Sequence, residues 1–103
     1  MSEEEKSFSI KDTLLFIEVR MNKKTLPPWS SLAKTIVINA EYEHYKGFLY
    51  KVLAIARHSE TLEELVVYQA LYGEEDIWVR PLAMFLENVE IDGQFQPRFK
   101  PIR

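Results

Sequence analysis

The segment HSET, at positions 58–61, contains His58 and Glu60, the pair whose residue types and spacing most suggest metal binding or acid–base catalysis. In an extended chain alternate side chains point the same way, so His58 and Glu60 would face a common ligand. This pair could hold a metal ion or serve as base and acid in a small hydrolase. The competing interpretation is a polar loop in which Ser59 or Thr61 bonds its own backbone.

A metal site is not expected from these residues. Zinc takes three or four protein ligands, and the chain adds only one more histidine, His44, and no cysteine. We therefore predict no metal and no other cofactor. Nucleophilic catalysis is not favoured, because adjacent side chains such as His58 and Ser59 point apart and no nucleophile-elbow glycines flank them. The three glycines lie too far apart to form a phosphate-binding loop.

A second group of residues suggests recognition rather than catalysis. Arg80 stands between Val79 and Pro81, two residues after Trp78. Its guanidinium is either the structural partner of a carboxylate or a fork that recognises an anion, and the sequence leaves both open. Tyrosine and tryptophan suit a binding groove, since each joins an apolar ring to a polar group. The aromatic residues that would form such a groove, or alternatively the core, are Tyr45, Tyr68, Tyr72, Trp78 and Phe85.

The composition limits the class of protein. The 103 residues carry a formal net charge of -3 and are 47% hydrophobic, which suits one globular domain. An acidic domain argues against tight nonspecific binding of nucleic acid, although the tail 94–103 is locally basic with interleaved aromatics. The lack of cysteine fits the cytoplasm, and no apolar stretch is long enough to cross a membrane. We expect a protein or small-molecule partner and no membrane association.

The segment HSETLEELVVYQALYG, residues 58–73, is compatible with two structures. Thr61 and Glu64 have the spacing of a helix capping box, whereas the run of branched and aromatic residues after them prefers a strand. Sequential strands usually pair, which favours a hairpin of strands Phe48–Arg57 and Leu65–Tyr72. In the first strand, simple alternation places four residues on one side: Tyr50, Val52, Ala54 and Ala56.

The chain divides into two predicted regions. Residues 1–40 form an N-terminal, partly helical extension, whose stretch 10–21 fits either a helix or a strand and which two consecutive prolines interrupt. Residues 41–103 form a small β-rich domain. Further predicted elements are a short helix at 29–34, strands at 35–38, 77–80, 88–91 and 95–99, and one helical turn at 82–86.

Several short motifs follow one another along the second region: HYKG at 44–47, HSET at 58–61, VVYQ at 66–69, WVRP at 78–81 and Met84-Phe85. Together they resemble a bacterial domain-of-unknown-function family, number sixteen fifty-three, over about residues 42–99. The resemblance implies a small β-rich domain. In relatives the position of Leu62 is often glycine, which implies a turn there. The resemblance implies no established activity.

We therefore predict a mostly β protein, α+β overall. Its expected architecture is a small, partly open β-barrel of about five strands, SH3-like in size, with one helical turn. The predicted function is a noncatalytic binding or interaction module; the alternative is a small hydrolase-type enzyme using His58 and Glu60. The residues expected to form the binding surface are His44, Lys46, His58, Glu60, Trp78 and Arg80.

Overall fold

The computed structural model describes residues 26–102. The helix and strand alternatives for residues 10–21 fall outside them. Seven strands and one short helix follow a 3-10 turn at Ala33–Thr35. The strands are β1 Glu41–His44, β2 Leu49–Arg57, β3 Glu64–Ala70, β4 Ile77–Pro81, β5 Asn88–Ile91, β6 Gln94–Pro97 and β7 Phe99–Pro101, and the helix α1 is Leu82–Phe85.

Five of the strands form one antiparallel sheet in the spatial order β4-β3-β2-β1-β7, while β5 and β6 form a separate hairpin. At the tip of that hairpin Asp92 and Gly93 both have positive φ, as a two-residue type I′ turn requires. The mostly β prediction is confirmed. Within residues 26–102 no pairing joins β4 to β7, so the sheet is open and the predicted barrel is not confirmed.

The stretch before β1 differs from its prediction. The strand predicted at 35–38 is wrong, and the helix predicted at 29–34 is reduced to the three-residue 3-10 turn. Thr35 Oγ1 donates to the carbonyl oxygen of Leu32, at 2.7 Å, so its side chain closes this turn on its own backbone. Ile36 then turns inward to the core instead of pairing in the sheet.

Residues 58–73, whose sequence is compatible with a helix or a strand, form the loop and the second strand of a hairpin. The β2–β3 loop is closed by the His58 N–H, which donates to the carbonyl oxygen of Glu63 at 2.8 Å, and by the Leu62 N–H, which donates to that of His58 at 2.9 Å. Leu62 has a φ of 65°, in the left-handed region that glycine adopts without cost. A helix would require negative φ at this position, so backbone geometry decides for the turn.

Replacing Leu62 with glycine should raise the free energy of unfolding by up to about 1 kcal/mol, because glycine relieves the left-handed strain. The leucine side chain is 38% exposed, so little packing is lost. Urea denaturation checks the expected gain. Leu62→Ala is the control, since it shortens the side chain but keeps the strained Cβ and should not stabilise. A loss of several kcal/mol in the glycine variant would mean that Leu62 acts through packing.

A bulge in β2 changes which residues face the core. Val52 lies opposite Tyr68, but the next pair is Ala54 with Val67, so Leu53 is an extra residue in β2. Beyond the bulge Ile55, opposite the buried Val66, packs against the core. The predicted single side of Tyr50, Val52, Ala54 and Ala56 is therefore wrong after Val52, because an inserted residue reverses the alternation.

The core lies on one face of the sheet under α1. Pro81 ends β4 in an extended conformation and leads directly into α1, whose Phe85 is fully buried. The Phe85 and Phe99 rings are stacked, with centroids 4.2 Å apart. Residues before β1 also belong to the core: Ala33 and Ile36 are 5% and 8% exposed. The domain boundary near Ala40 stays a prediction.

Candidate functional site

An aromatic cleft of about 200 Å³ opens on the same face of the sheet as the core, near the β4 edge. Tyr68 on β3 lies opposite Trp78 on β4, and Arg80 follows Trp78 by two residues, so strand pairing places all three on one face. Tyr50 enters from β2, and Tyr72 follows the end of β3. The residues lining this aromatic cleft are Tyr50, Tyr68, Tyr72, Trp78 and Arg80.

Tyrosine hydroxyls supply much of the polar lining of the aromatic cleft. The Tyr50 and Tyr72 oxygens are 2.7 Å apart and share one hydrogen bond. Burial raises the pKa of Tyr50 well above its usual value, and the hydrogen bond with Tyr72 raises it further. Tyr50 therefore stays a neutral phenol at physiological pH. Its ring meets the Tyr68 ring edge to face at 5.4 Å, which fixes the orientation of both walls.

Arg80 brings the positive charge of the aromatic cleft. Its Nε donates to the Tyr68 hydroxyl over 3.4 Å, and the residue is half-buried. Among residues 26–102 no carboxylate forms an ion pair with it; the ion pair seen there joins Arg98 to Glu87. The structural-partner interpretation of Arg80 therefore has no carboxylate to support it within this part of the chain.

His44 lies next to the aromatic cleft, and Lys46 follows it in the β1–β2 turn. His44 on β1 packs edge-on against Tyr50, with ring centroids 6.4 Å apart. Its Nδ1 accepts the Lys46 N–H at 3.2 Å, across the β1–β2 turn. Burial lowers the pKa of His44, and the charges of Arg98, Lys46 and Arg80 lower it further. Lys46 and Arg80 thus add positive charge at this end of the sheet, whereas the charge of Arg98 is paired with Glu87.

His58 and Glu60 do not join this group. They lie in the β2–β3 loop, and at about 3.3 Å per strand residue this loop is roughly 25 Å along β2 from Tyr50. The His58 Nδ1 accepts the N–H groups of Glu60 and Thr61, at 3.1 and 3.3 Å. The imidazole thus closes the turn, and Thr61 Oγ1 accepts the Glu63 N–H at 3.1 Å, as in the polar-loop interpretation. In the described range no three His, Cys, Asp or Glu side chains are grouped to hold a metal ion.

The predicted binding surface omitted Tyr50, which lines the aromatic cleft. The sequence groups Tyr68 and Tyr72 with Trp78 as a possible groove, but it places Tyr50 only on an alternating strand. No sequence signal identifies Tyr50, because it lies opposite Ala70, on the face of Tyr68, only through the register shift at the bulge in β2. Conversely, Tyr45 lies outside the aromatic cleft, stacked on His44 at 4.4 Å.

A larger depression of about 410 Å³ lies elsewhere, between the segment before β1 and the bulged part of β2. Its lining is mainly apolar and includes Trp29, Ile36, Ile38 and Leu53, with Lys34 as its charged side chain. A binding site for a specific ligand needs several polar groups that converge. The smaller aromatic cleft has them, so it is the better candidate. The described part of the chain has no helix that is long and apolar enough to span a membrane.

Comparisons with known proteins identify a family whose match includes all seven strands. The sequence model described as "Protein of unknown function (DUF1653)" matches residues 40–101, which confirms the resemblance drawn from the motifs. A crystal structure of a protein belonging to that family, from Bordetella bronchiseptica, is 36% identical to this chain and superposes with a TM-score of 0.59. The alignment covers 66% of this chain and 90% of that one. A comparison with curated proteins found no match.

Proposed function

Since the chain belongs to the protein family of unknown function DUF1653, its role has to be argued from its own side chains, and we propose a noncatalytic binding module whose aromatic cleft holds a carboxylate. This proposal rests on the position and surroundings of Arg80. A half-buried guanidinium lines the aromatic cleft, and no carboxylate pairs with it in residues 26–102. We also propose the cytoplasm as its location, from the cysteine-free composition.

The chemistry of Arg80 supports an anionic ligand. A guanidinium carries five N–H donors, and the Tyr68 hydroxyl accepts from Nε. The terminal nitrogen atoms can then bind the two oxygens of one carboxylate, which is the strongest common form of this contact. The tyrosine hydroxyls add further donors, and the rings exclude water from one side of the ligand.

The size of the aromatic cleft supports a small group. Its volume of about 200 Å³ is below the range of roughly 300–1,000 Å³ that is usual for small-molecule pockets. It suits an acidic side chain, a chain terminus or a compact aromatic acid. Positive charges at Lys46 and Arg80 act on the neighbouring His44, and the same field attracts an approaching anion.

Nothing in the described geometry favours the hydrolase alternative. His58 Nδ1 accepts the Glu60 backbone N–H, and the Glu60 side chain makes no contact with the imidazole that would orient it as a base. The loop is exposed at Ser59, Glu60 and Thr61, so water is not excluded. These residues are better explained by closure of the hairpin than by chemistry.

Benzoate should bind in the aromatic cleft, and Arg80→Gln should weaken that binding roughly ten- to hundredfold, as expected for loss of a charge-assisted hydrogen bond. The measurement is an NMR titration that follows the Trp78 indole N–H. Benzyl alcohol, which has a similar shape without the charge, should bind weakly and equally to both proteins. Arg80→Gln should unfold within about 1 kcal/mol of the natural chain, because no buried carboxylate in residues 26–102 pairs with Arg80.

Arg57→Gln is the matched control variant. It removes the same charge at the far end of β2, where Arg57 stacks on Trp29 at 4.2 Å, and it should leave benzoate binding unchanged. An equal loss of benzoate affinity in both variants would mean that the effect comes from net charge and not from the position of Arg80. Absence of any benzoate-dependent shift at Trp78, or equal shifts with benzyl alcohol, would overturn the proposal.

A further inference from the structure

The β4 edge of the sheet is apolar and open. Three successive residues of this strand, Ile77, Trp78 and Val79, are 59%, 52% and 57% exposed. Within the described residues β4 pairs with β3 alone, so its outer side has no partner. The opposite edge, β7, is only three residues long and carries Lys100 and Pro101, both of which discourage pairing. The two edges of the sheet thus differ in their capacity to accept another strand.

The outward backbone groups of β4 can be assigned. The Ala70 N–H donates to the carbonyl oxygen of Asp76 at 3.0 Å, and the β3–β4 register continues from this pair. In an antiparallel pair, hydrogen-bonded residues alternate along the strand. Trp78 and Arg80 therefore bond to β3, while the N–H and C=O groups of Ile77 and Val79 point away from the sheet. Pro81, which has no N–H, falls among the outward residues.

We infer that β4 pairs antiparallel with β4 of a second copy of this chain. The favoured register places Ile77 of one protomer opposite Val79 of its partner, twice, with Trp78 opposite Trp78 on the twofold axis. This register uses the outward N–H and C=O groups of Ile77 and Val79 on each strand in four hydrogen bonds. It also joins two five-stranded sheets into one continuous sheet, and it covers the exposed apolar edge that each copy carries alone.

Charge complementarity supports a second copy as the occupant. In this register Asp76 of one protomer lies opposite Arg80 of its partner, and the twofold axis makes this contact twice. Neither side chain has an ion-pair partner within residues 26–102. Cross-strand opposite charges stabilise antiparallel pairs. An alternative register, shifted toward the end of β4, would place Ile77 opposite Pro81. Proline donates no hydrogen bond, so a dimer in that register would be less stable.

The pairing would bring two aromatic clefts together. Trp78 lines the aromatic cleft, so its partner's Trp78 would stand at the mouth of the same cleft. Arg80 has N–H donors for more than one acceptor, and it can contact its partner's Asp76 while it holds a ligand. The inference nevertheless does not depend on the proposed ligand, because oligomeric state and benzoate binding are measured separately.

Sedimentation equilibrium of the full chain over a concentration series should show reversible association to twice the mass of one chain. Asp76→Arg should weaken the dimer by placing two cations opposite each other, and Arg80→Asp should do the same with two anions. An equimolar mixture of these two variants should restore association, because every facing pair is then attractive. Restoration in the mixture is specific to the inferred register, since a merely misfolded variant would not recover.

Val79→Pro tests the backbone contact without changing charge. The Val79 N–H points outward, so proline removes a donor to the partner but none to β3. This variant should be a folded monomer at every concentration, with the natural circular dichroism spectrum. Val79→Thr keeps the N–H and the branched shape and should remain a dimer. A natural chain that stays monomeric throughout, or a Val79→Pro variant that still dimerises, would overturn the inference.

Discussion

The variant Phe85→Ala should lose about 3–5 kcal/mol in free energy of unfolding, the range for truncation of a fully buried phenylalanine. Phe85 is completely buried although it belongs to a helix of only four residues. Its ring stacks on Phe99 and meets Tyr42 and Tyr68 edge to face, at 5.5 and 5.3 Å. These neighbours are fixed on paired strands, so they cannot move inward to fill the cavity. Urea denaturation followed by circular dichroism measures the loss.

Phe95→Ala is the matched control for Phe85→Ala. Phe95 lies on the separate β5–β6 hairpin and is 71% exposed, so its truncation should change stability by less than about 0.5 kcal/mol. Comparable losses in the two variants would mean that this hairpin packs into the core. A loss below about 1 kcal/mol for Phe85→Ala would contradict the central position of the helix α1.

The hairpin of β2 and β3 could be predicted from sequence because two independent signals agreed. The alternating residues of each strand need a neighbour, and the turn implied at Leu62 supplies the connection. The capping-box spacing of Thr61 and Glu64 is real but local. In the structure Thr61 Oγ1 accepts the Glu63 N–H, and the Glu64 carboxylate accepts hydrogen bonds from Ser30. The same polar residues thus serve a turn and a tertiary contact.

The bulge at Leu53 and the stretch before β1 could not be predicted. Every residue of β2 from Leu49 to Ile55 except Lys51 is apolar or aromatic, so nothing in its pattern marks an extra residue. The bulge follows from the pairing of Val52 and Ala54 with successive residues of β3. Similarly, residues 35–38 are rich in β-branched side chains, which favour a strand. In the structure they pair with no strand of the described sheet, because packing of Ile36 into the core overrides this local propensity.

The candidate site was predicted in part for a geometric reason. Trp78 and Arg80 are two residues apart on one strand, so they share a face in any sheet that contains them. His58 and Glu60 have the same spacing, but they follow the end of β2 and lie in a turn, where strand alternation does not apply. The neighbours of a residue depend on its position along the hairpin. They can therefore be identified only when the register between β2 and β3 is known.

A fragment of residues 41–103 should unfold cooperatively but be about 3–5 kcal/mol less stable than a fragment of residues 26–103. The shorter fragment lacks Ile36, which is 8% exposed; burying such a side chain contributes about 1.5–3 kcal/mol. It also lacks Ala33 and the Val37 N–H, which donates to the Tyr42 hydroxyl at 3.2 Å. Loss of that bond costs about 1 kcal/mol more. Paired urea denaturation curves measure the difference.

This comparison also tests the predicted boundary near Ala40. Ile36→Ala in the longer fragment should account for about 2–4 kcal/mol of the difference, because it removes the largest buried upstream side chain and keeps the backbone. A shorter fragment without a cooperative transition would place the boundary before Ala33, since upstream residues would then be indispensable to the core. Equal stability of the two fragments would show instead that the buried contacts of Ala33 and Ile36 contribute nothing to the fold.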